Sequence, residues 1–240
     1  MVKAIILCNK VQLTEQKPQL ELSLLKLSNR PIIEYGICAL AAAKIQQVYL
    51  ITDESKQYYQ YIKGLQKMYN VQINLSNDPN NILALFAEEK FIIYPGQLFC
   101  TFDFDLYCSF ENFSKVQNVD IFIGLGREFL QEEKIIPNAI IQPQFYSLNQ
   151  TLQQLIKCNM YIMQNFDVDN CLSTIQSKHF VINSCLEKGI LLGNGVQIIN
   201  SIIGENVIFE DNSKVENCYV ETGIRIKTGN TFKDRIIVKE

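Results

Sequence analysis

Two rhythms of apolar residues divide this chain. In the last third, large apolar residues stand at Leu186, Leu192 and Ile198, then at Ile203, Phe209 and Val215, then at Val220, Ile226 and Phe232. The step is six within each triplet and five between triplets, so the full period is 17. Val181, Ile198, Val215 and Phe232 fall in one file of that period. Other positions keep the same phase: Asn183, Asn200 and Asn217; Ser184, Ser201 and Cys218; Ile190, Val207 and Ile224. Gly193 and Gly204 each follow a file residue, where a six-residue repeat places a small side chain. An ordinary amphipathic strand alternates with period two, which does not produce a repeat at six with fixed Asn and Gly corners. Three such units per turn predict a triangular left-handed β-helix of about three coils over residues 179–240. A solenoid this short needs its ends covered.

Residues 1–178 follow a different rhythm, in which apolar runs alternate with helical spacing. Ala4 to Leu7 reads as a buried strand, as do Val48 to Thr52, Val71 to Leu75, Phe91 to Tyr94 and Asp120 to Gly124. Pro31 opens a helix running to about Lys44, at an early helical position where its missing N–H matters least. Lys56 to Tyr69 is helical and buries Tyr58, Ile62 and Leu65 by their spacing. Strands alternating with helices predict a three-layered α/β domain with a parallel sheet and right-handed crossovers. Ligands of such sheets sit beyond the carboxyl ends of the strands, so the segment from Cys8 onward is where function is sought.

Composition narrows the classes. The net charge is −3 over 240 residues and the 22 Lys and Arg are scattered, which argues against nucleic-acid or membrane-surface binding by bulk electrostatics. No apolar run approaches the ~18 residues of a membrane span, and the N-terminal run is too short for a signal peptide. The eight cysteines form no C-x-x-C pair and no His cluster accompanies them, so buried reduced thiols in a cytosolic protein are expected.

Lys3-Ala4-Ile5-Ile6-Leu7, Leu24-Leu25, Asn29-Arg30-Pro31-Ile32-Ile33-Glu34-Tyr35 and Phe91 to Gly96, with the coils behind them, resemble the sugar-nucleotide pyrophosphorylase superfamily. The resemblance implies a Rossmann-like nucleotidyltransferase-type domain followed by the β-helix, and it covers most of the chain. It also marks three departures. The family's glycine-rich phosphate loop falls on Cys8-Asn9-Lys10-Val11-Gln12-Leu13-Thr14, which has no glycine to let the backbone approach a phosphate. The family's phosphate-neutralising lysine falls on Leu22, within Glu21-Leu22-Ser23. The family's magnesium-holding aspartate falls on Gln97, a neutral and weak ligand for a hard cation. Asp103 and Asp105 lie nearby as substitutes.

These departures imply no catalytic, cofactor-binding or metal-binding residues and no cofactor. Such a site resembles the gamma and epsilon subunits of eukaryotic translation initiation factor two-B. The run Asn217 to Lys227 with Arg235-Ile236-Ile237-Val238 is similar to the gamma-type end. Nothing follows Glu240, so the helical exchange domain of the epsilon type is not expected. The implied role is a cytosolic scaffold for an epsilon-type subunit acting on initiation factor two, with no direct nucleic-acid or membrane partner. The alternative is the regulatory, inactive subunit of a sugar-nucleotide pyrophosphorylase such as mannose-1-phosphate guanylyltransferase. A hexapeptide acyltransferase fits less well, because the one histidine, His179, precedes the first coil.

Other features read more simply as structure. Asp53-Glu54 follows a strand end, where acids cap helices as well as bind ribose or metal. Gly124-Leu125-Gly126-Arg127 hints at a phosphate loop but lacks the strand–G-x-G-x-x-G–helix context. The aromatic-rich stretch Phe99 to Phe113 suits a packed edge or a subunit contact.

Overall fold

The computed structural model describes residues 2–8, 10–11, 20–28, 30–53, 55–96, 98–101, 114–116, 121–130, 140–141, 145–147, 151–165, 171–172, 175–176 and 179–238. The chain forms two compact units. The first takes Met1–Gln12, Pro18–Leu24 and Ile32–Leu148; the second takes Leu13–Lys17, Leu25–Pro31 and Asn149–Glu240.

The first unit is built on β1 (Val2–Leu7), α1 (Ile32–Ala42), β2 (Gln47–Ile51), α2 (Ser55–Tyr69), β3 (Gln72–Ser76), α3 (Pro79–Leu85) and β4 (Lys90–Pro95). It continues with β5 (Ser114–Val116), β6 (Phe122–Leu125), α4 (Gly126–Leu130) and β7 (Ile140–Ile141). The seven strands lie in the order β7-β5-β6-β4-β1-β2-β3. β4, β1, β2 and β3 are parallel, with Ala4 opposite both Val48 and Ile92. The side chains of β1 alternate between two helical layers. Ala4 and Ile6 join Ile33, Ile37 and Leu40 of α1 and Tyr58, Ile62 and Leu65 of α2. Ile5 joins Ile82 and Leu83 of α3 on the other face. Three layers follow directly from that alternation.

Three details differ from the sequence reading. β6 runs antiparallel to both β4 and β5, so the sheet is mixed, with β5 and β7 parallel to each other beyond the reversed strand. An apolar run such as Ile121-Phe122-Ile123 specifies burial on both faces but not direction. Helix α1 starts at Ile32, because Pro31 pairs with Lys26 in a short hairpin, and it ends at Ala42, with Lys44 at φ +60° in the turn beyond. Helix α3 carries no strong apolar period; its start is set by Asp78, whose carboxylate accepts from the N–H of Asn80 at 2.9 Å and of Asn81 at 3.3 Å, followed by Pro79 at the first helical position. Lys3, inside the family-like motif, has a packing role: it is buried, pairs with Glu89 and lies 4.5 Å over the ring of Phe86.

The second unit contains the left-handed β-helix. Its first face stacks His179–Ile182, Gln197–Ile199, Lys214–Glu216 and Thr231–Lys233. The second face stacks Ser184–Leu186, Ile202–Ile203, Tyr219–Val220 and Ile236–Ile237. The third stacks Leu191–Leu192, Ile208–Phe209 and Arg225–Ile226. All of these pairs are parallel and register is the 17-residue period: Val181 faces Ile198, Ile198 faces Val215, Val215 faces Phe232. The expected files fill the interior, with Ile198, Ile203, Val207, Val215 and Val220 fully buried. Cys171–Leu172 and Ile175–Gln176 pair antiparallel with the first rungs of two faces, so that end of the coil has its cover.

Every corner needs a residue in the left-handed region. Asn183, Asn200, Asn217 and Asp234 occupy one corner file at φ +46° to +53°. Gly189, Asn206 and Gly223 occupy the second, and Gly195, Asn212 and Gly229 the third. Gly and Asn tolerate this conformation best. Gly193 and Gly204 are not corners; they let adjacent coils approach. A Cβ on Gly204 would lie 2.6 Å from the backbone N of Thr222, and one on Gly193 2.7 Å from that of Asp211.

Helix α5 (Leu152–Asn165) also belongs to this unit, burying Leu155, Cys158 and Ile162 completely. Its buried Asn159 carboxamide oxygen accepts from both the N–H and the hydroxyl of Ser28, at 2.8 and 2.9 Å, in the Lys26–Pro31 hairpin.

Candidate functional site

The carboxyl ends of β1, β2 and β4 meet where an α/β sheet places its ligand. Among the described residues of that rim, three backbone donors are already used. The N–H of Cys8 donates to Ile51 at 2.9 Å, that of Thr52 to Ser76 at 2.9 Å, and that of Gly96 to Leu7 at 2.7 Å. Each bond extends a parallel ladder one residue past the strand.

Side chains close the same region. Cys8 and Gly96 are buried, and a Cβ on Gly96 would lie 3.1 Å from the Cys8 sulfur and 3.2 Å from the Cβ of Ser23. Ser23 is fully buried, with its hydroxyl 2.5 Å from that of Tyr58 on α2. The Tyr94 hydroxyl donates to the Leu98 carbonyl at 2.5 Å, and its ring packs against Gly36, where an added Cβ would lie 2.7 Å from Cε1. Among the described residues this region is hydrogen-bonded packing.

The family-like positions meet different fates. Leu22 lies in a short 3-10 turn, Leu22–Leu24. The segment expected to be a shortened loop carries an antiparallel strand pair, with Lys10 opposite Glu21 and Val11 opposite Leu20. Asn9, Gln12 to Thr14, Asn29, Glu54, Gln97, Asp103 and Asp105 lie outside the described residues. Asp53 is exposed. Phe99–Thr101 pairs antiparallel with Phe145–Ser147, and Phe102 to Phe113 lie outside the described residues.

Two sequence readings need correction. Gly124 to Arg127 does stand at a strand-to-helix junction, β6 to α4. Yet the N–H of Gly126 donates to Glu89, that of Arg127 to Ala87, and that of Leu125 to the Glu128 carboxylate. A Cβ on Gly126 would lie 2.7 Å from the Leu83 carbonyl, so this glycine serves close packing against α3. His179 lies in the first strand of the coil rather than before it, paired with Gln176. Strand boundaries at a repeat's first rung blur because the preceding segment pairs antiparallel and carries no repeat phase.

Among the described residues, no group of three or more His, Cys, Asp or Glu is placed to hold a metal ion. Cys8, Cys158, Cys185 and Cys218 are buried thiols and Cys38 is half-buried. Burial pushes the Cys218 thiol up from its ordinary value. No helix of the described residues is long and apolar enough to cross a membrane.

The second unit carries a charged cluster. The Lys26 ammonium lies 2.9 Å from Glu187 and 3.1 Å from Glu205. Burial drives the Glu187 carboxyl above the usual carboxylate range, and the adjacent Lys26 only partly offsets this. Burial also acts to lower Lys26, but its bonds to Glu187 and Glu205 outweigh it, and the ammonium is held above its ordinary value. A cavity of ≈ 250 Å³ is lined by α5 and by the Asn200, Asn217 and Asp234 corner.

No protein-family model matches this sequence and no curated protein matches it. Among solved structures, the chain is similar to one assigned as a glucose-1-phosphate thymidylyltransferase from Bacillus anthracis, in complex with a sucrose. The match covers 70% of this chain and 97% of that one, at a TM-score of 0.57 and 12% identity. At that identity the likeness carries architecture alone, and the architecture of this chain is that of a nucleotidyltransferase-like α/β fold with left-handed β-helix coils.

Proposed function

We propose that this chain is a noncatalytic subunit of the gamma type in the guanine-nucleotide exchange complex initiation factor two-B. It scaffolds an epsilon-type partner for GDP/GTP exchange on initiation factor two, in the cytosol. The observation that supports a noncatalytic role is the packed rim of β1. The N–H groups of Cys8, Thr52 and Gly96 are spent on neighbouring strands, and Cys8, Ser23, Tyr58 and Gly96 fill the space. Binding a nucleotide there requires backbone donors and room for a phosphate. With Leu22 and Gln97 at the family's lysine and aspartate positions, charge neutralisation is missing too. A fold kept without its chemistry has its surfaces left as the basis of function.

Two measurements test the proposal. Purified chain supplied with each NTP, magnesium and a panel of sugar phosphates is expected to give no pyrophosphate exchange; turnover overturns the noncatalytic reading. Affinity purification of the tagged chain from its own cells is expected to recover an epsilon-type subunit with initiation factor two. Recovery of an intact sugar nucleotidyltransferase instead reassigns the chain as the regulatory subunit of that enzyme.

A further inference from the structure

The cavity beside α5 lies wholly within the second unit and has walls of two kinds. Leu152, Ile156 and Met160 of α5 form the apolar wall, and the amides of Asn200 and Asn217 the polar one. Lys157 and Asp234 bring one cation and one anion to the same space. The asparagines are fixed by the corner ladder. Asn200 donates to Asn217 at 3.3 Å and Asn217 to Asp234 at 2.9 Å. A carboxamide has two N–H donors, and each rung bond uses one, so each amide keeps a donor for a ligand. Among the described residues Lys157 has no hydrogen-bond or ion-pair partner.

This combination selects by elimination. A phosphate dianion meets repulsion from Asp234. A polyol leaves the wall of Leu152, Ile156 and Met160 uncovered. A hydrocarbon leaves Lys157, Asp234 and the amides without partners. What matches all three is a molecule with an apolar body, a carboxylate and an ammonium close together. The space of ≈ 250 Å³ equals about eight waters at ~30 Å³ each, against about nine non-hydrogen atoms in leucine or methionine. We propose that this cavity binds a free α-amino acid with an apolar side chain. Its carboxylate lies at Lys157, its ammonium at Asp234, and its side chain against Ile156 and Met160. This stands independently of the proposed function.

The test is equilibrium dialysis of the full chain with radiolabelled L-leucine and L-methionine. Saturable binding of one ligand per chain is expected, with Kd about 1 mM or tighter. Lys157→Met and Asp234→Asn should each weaken it about fivefold or more. Both side chains are exposed, and asparagine already occupies the other three rungs of the ladder, so these variants should melt as the parent does. Leucinamide, N-acetyl-leucine and glycine, lacking the carboxylate, the ammonium and the apolar body respectively, should compete poorly. The proposal is overturned by an absence of saturable uptake up to about 10 mM. Unchanged affinity in either variant overturns it as well, as does equal competition from leucinamide or N-acetyl-leucine.

Discussion

At Asn200 two demands meet, a left-handed backbone at φ +46° and a place in the amide ladder between Asn183 and Asn217. The two separate by substitution. Asn200→Ala loses both and is expected to destabilise the coil by about 2 kcal/mol, whereas Asn200→Gly keeps the backbone and should cost about half as much. Urea denaturation of both variants measures this, and equal losses would mean that the ladder alone matters. Lys26 poses an electrostatic question. Raised above its ordinary value, it contributes stability that is present below 10.5 and is lost as pH rises through the higher folded value. Glu187, raised above 4.5, has the same sign in a lower window: its protonated form is the one folding favours, and that contribution is lost as pH rises through its folded value. Lys26→Met leaves the Glu187 carboxylate buried without a counter-charge, a loss of about 2 kcal/mol at neutral pH. Denaturation across pH should show the loss shrinking as acid neutralises Glu187, and a loss independent of pH would rule out this account.

Elements here are held by contacts that local pattern does not reveal. The hairpin Lys26–Leu27/Arg30–Pro31 is two residues a strand, too short to stand alone. It is tied to α5 through Asn159, which accepts two bonds from Ser28. Asn159→Ala leaves the buried N–H and hydroxyl of Ser28 without that acceptor and should cost about 2–3 kcal/mol. Faster amide exchange at Ser28 is the specific readout; a general loss of stability with Ser28 still protected would assign Asn159 to packing alone. Helices α1 and α2 were legible because Ile33, Ile37 and Leu40, then Tyr58, Ile62 and Leu65, recur at helical spacing. Helix α5 has the same kind of stripe in Leu155, Cys158 and Ile162, a signal present in the sequence at helical spacing. Helix α3 was hidden because seven residues with two buried side chains make no period.

At the scale of the molecule, the sheet and the coils have separate cores, one centred on Ile6, Ile37 and Ile92 and one on Ile198, Ile203 and Phe209. Each coil rests only on its neighbours, so a cavity in a middle rung weakens two interfaces. Ile203→Ala is expected to cost about 3 kcal/mol. Hydrogen exchange should then quicken across residues 179–238 while the slowest amides of β1 and β4 keep their rates; quickening of both would show that the two cores unfold as one. The coils were legible in the sequence for a simple reason. A repeat writes the same inward position every 17 residues, so Val181, Ile198, Val215 and Phe232 report one another without knowledge of anything distant. The existence of the parallel sheet's centre was legible too, since strands buried on both faces are near-continuous apolar runs. Three matters were left to the tertiary structure: the reversed direction of β6, the attachment of the Lys26 hairpin to α5, and the packing of Ser23 against Tyr58 and Gly96. Each depends on groups 29 to 131 positions apart in the chain. Direction, partner choice and pocket closure are set by such distant contacts, whose energies no local spacing encodes.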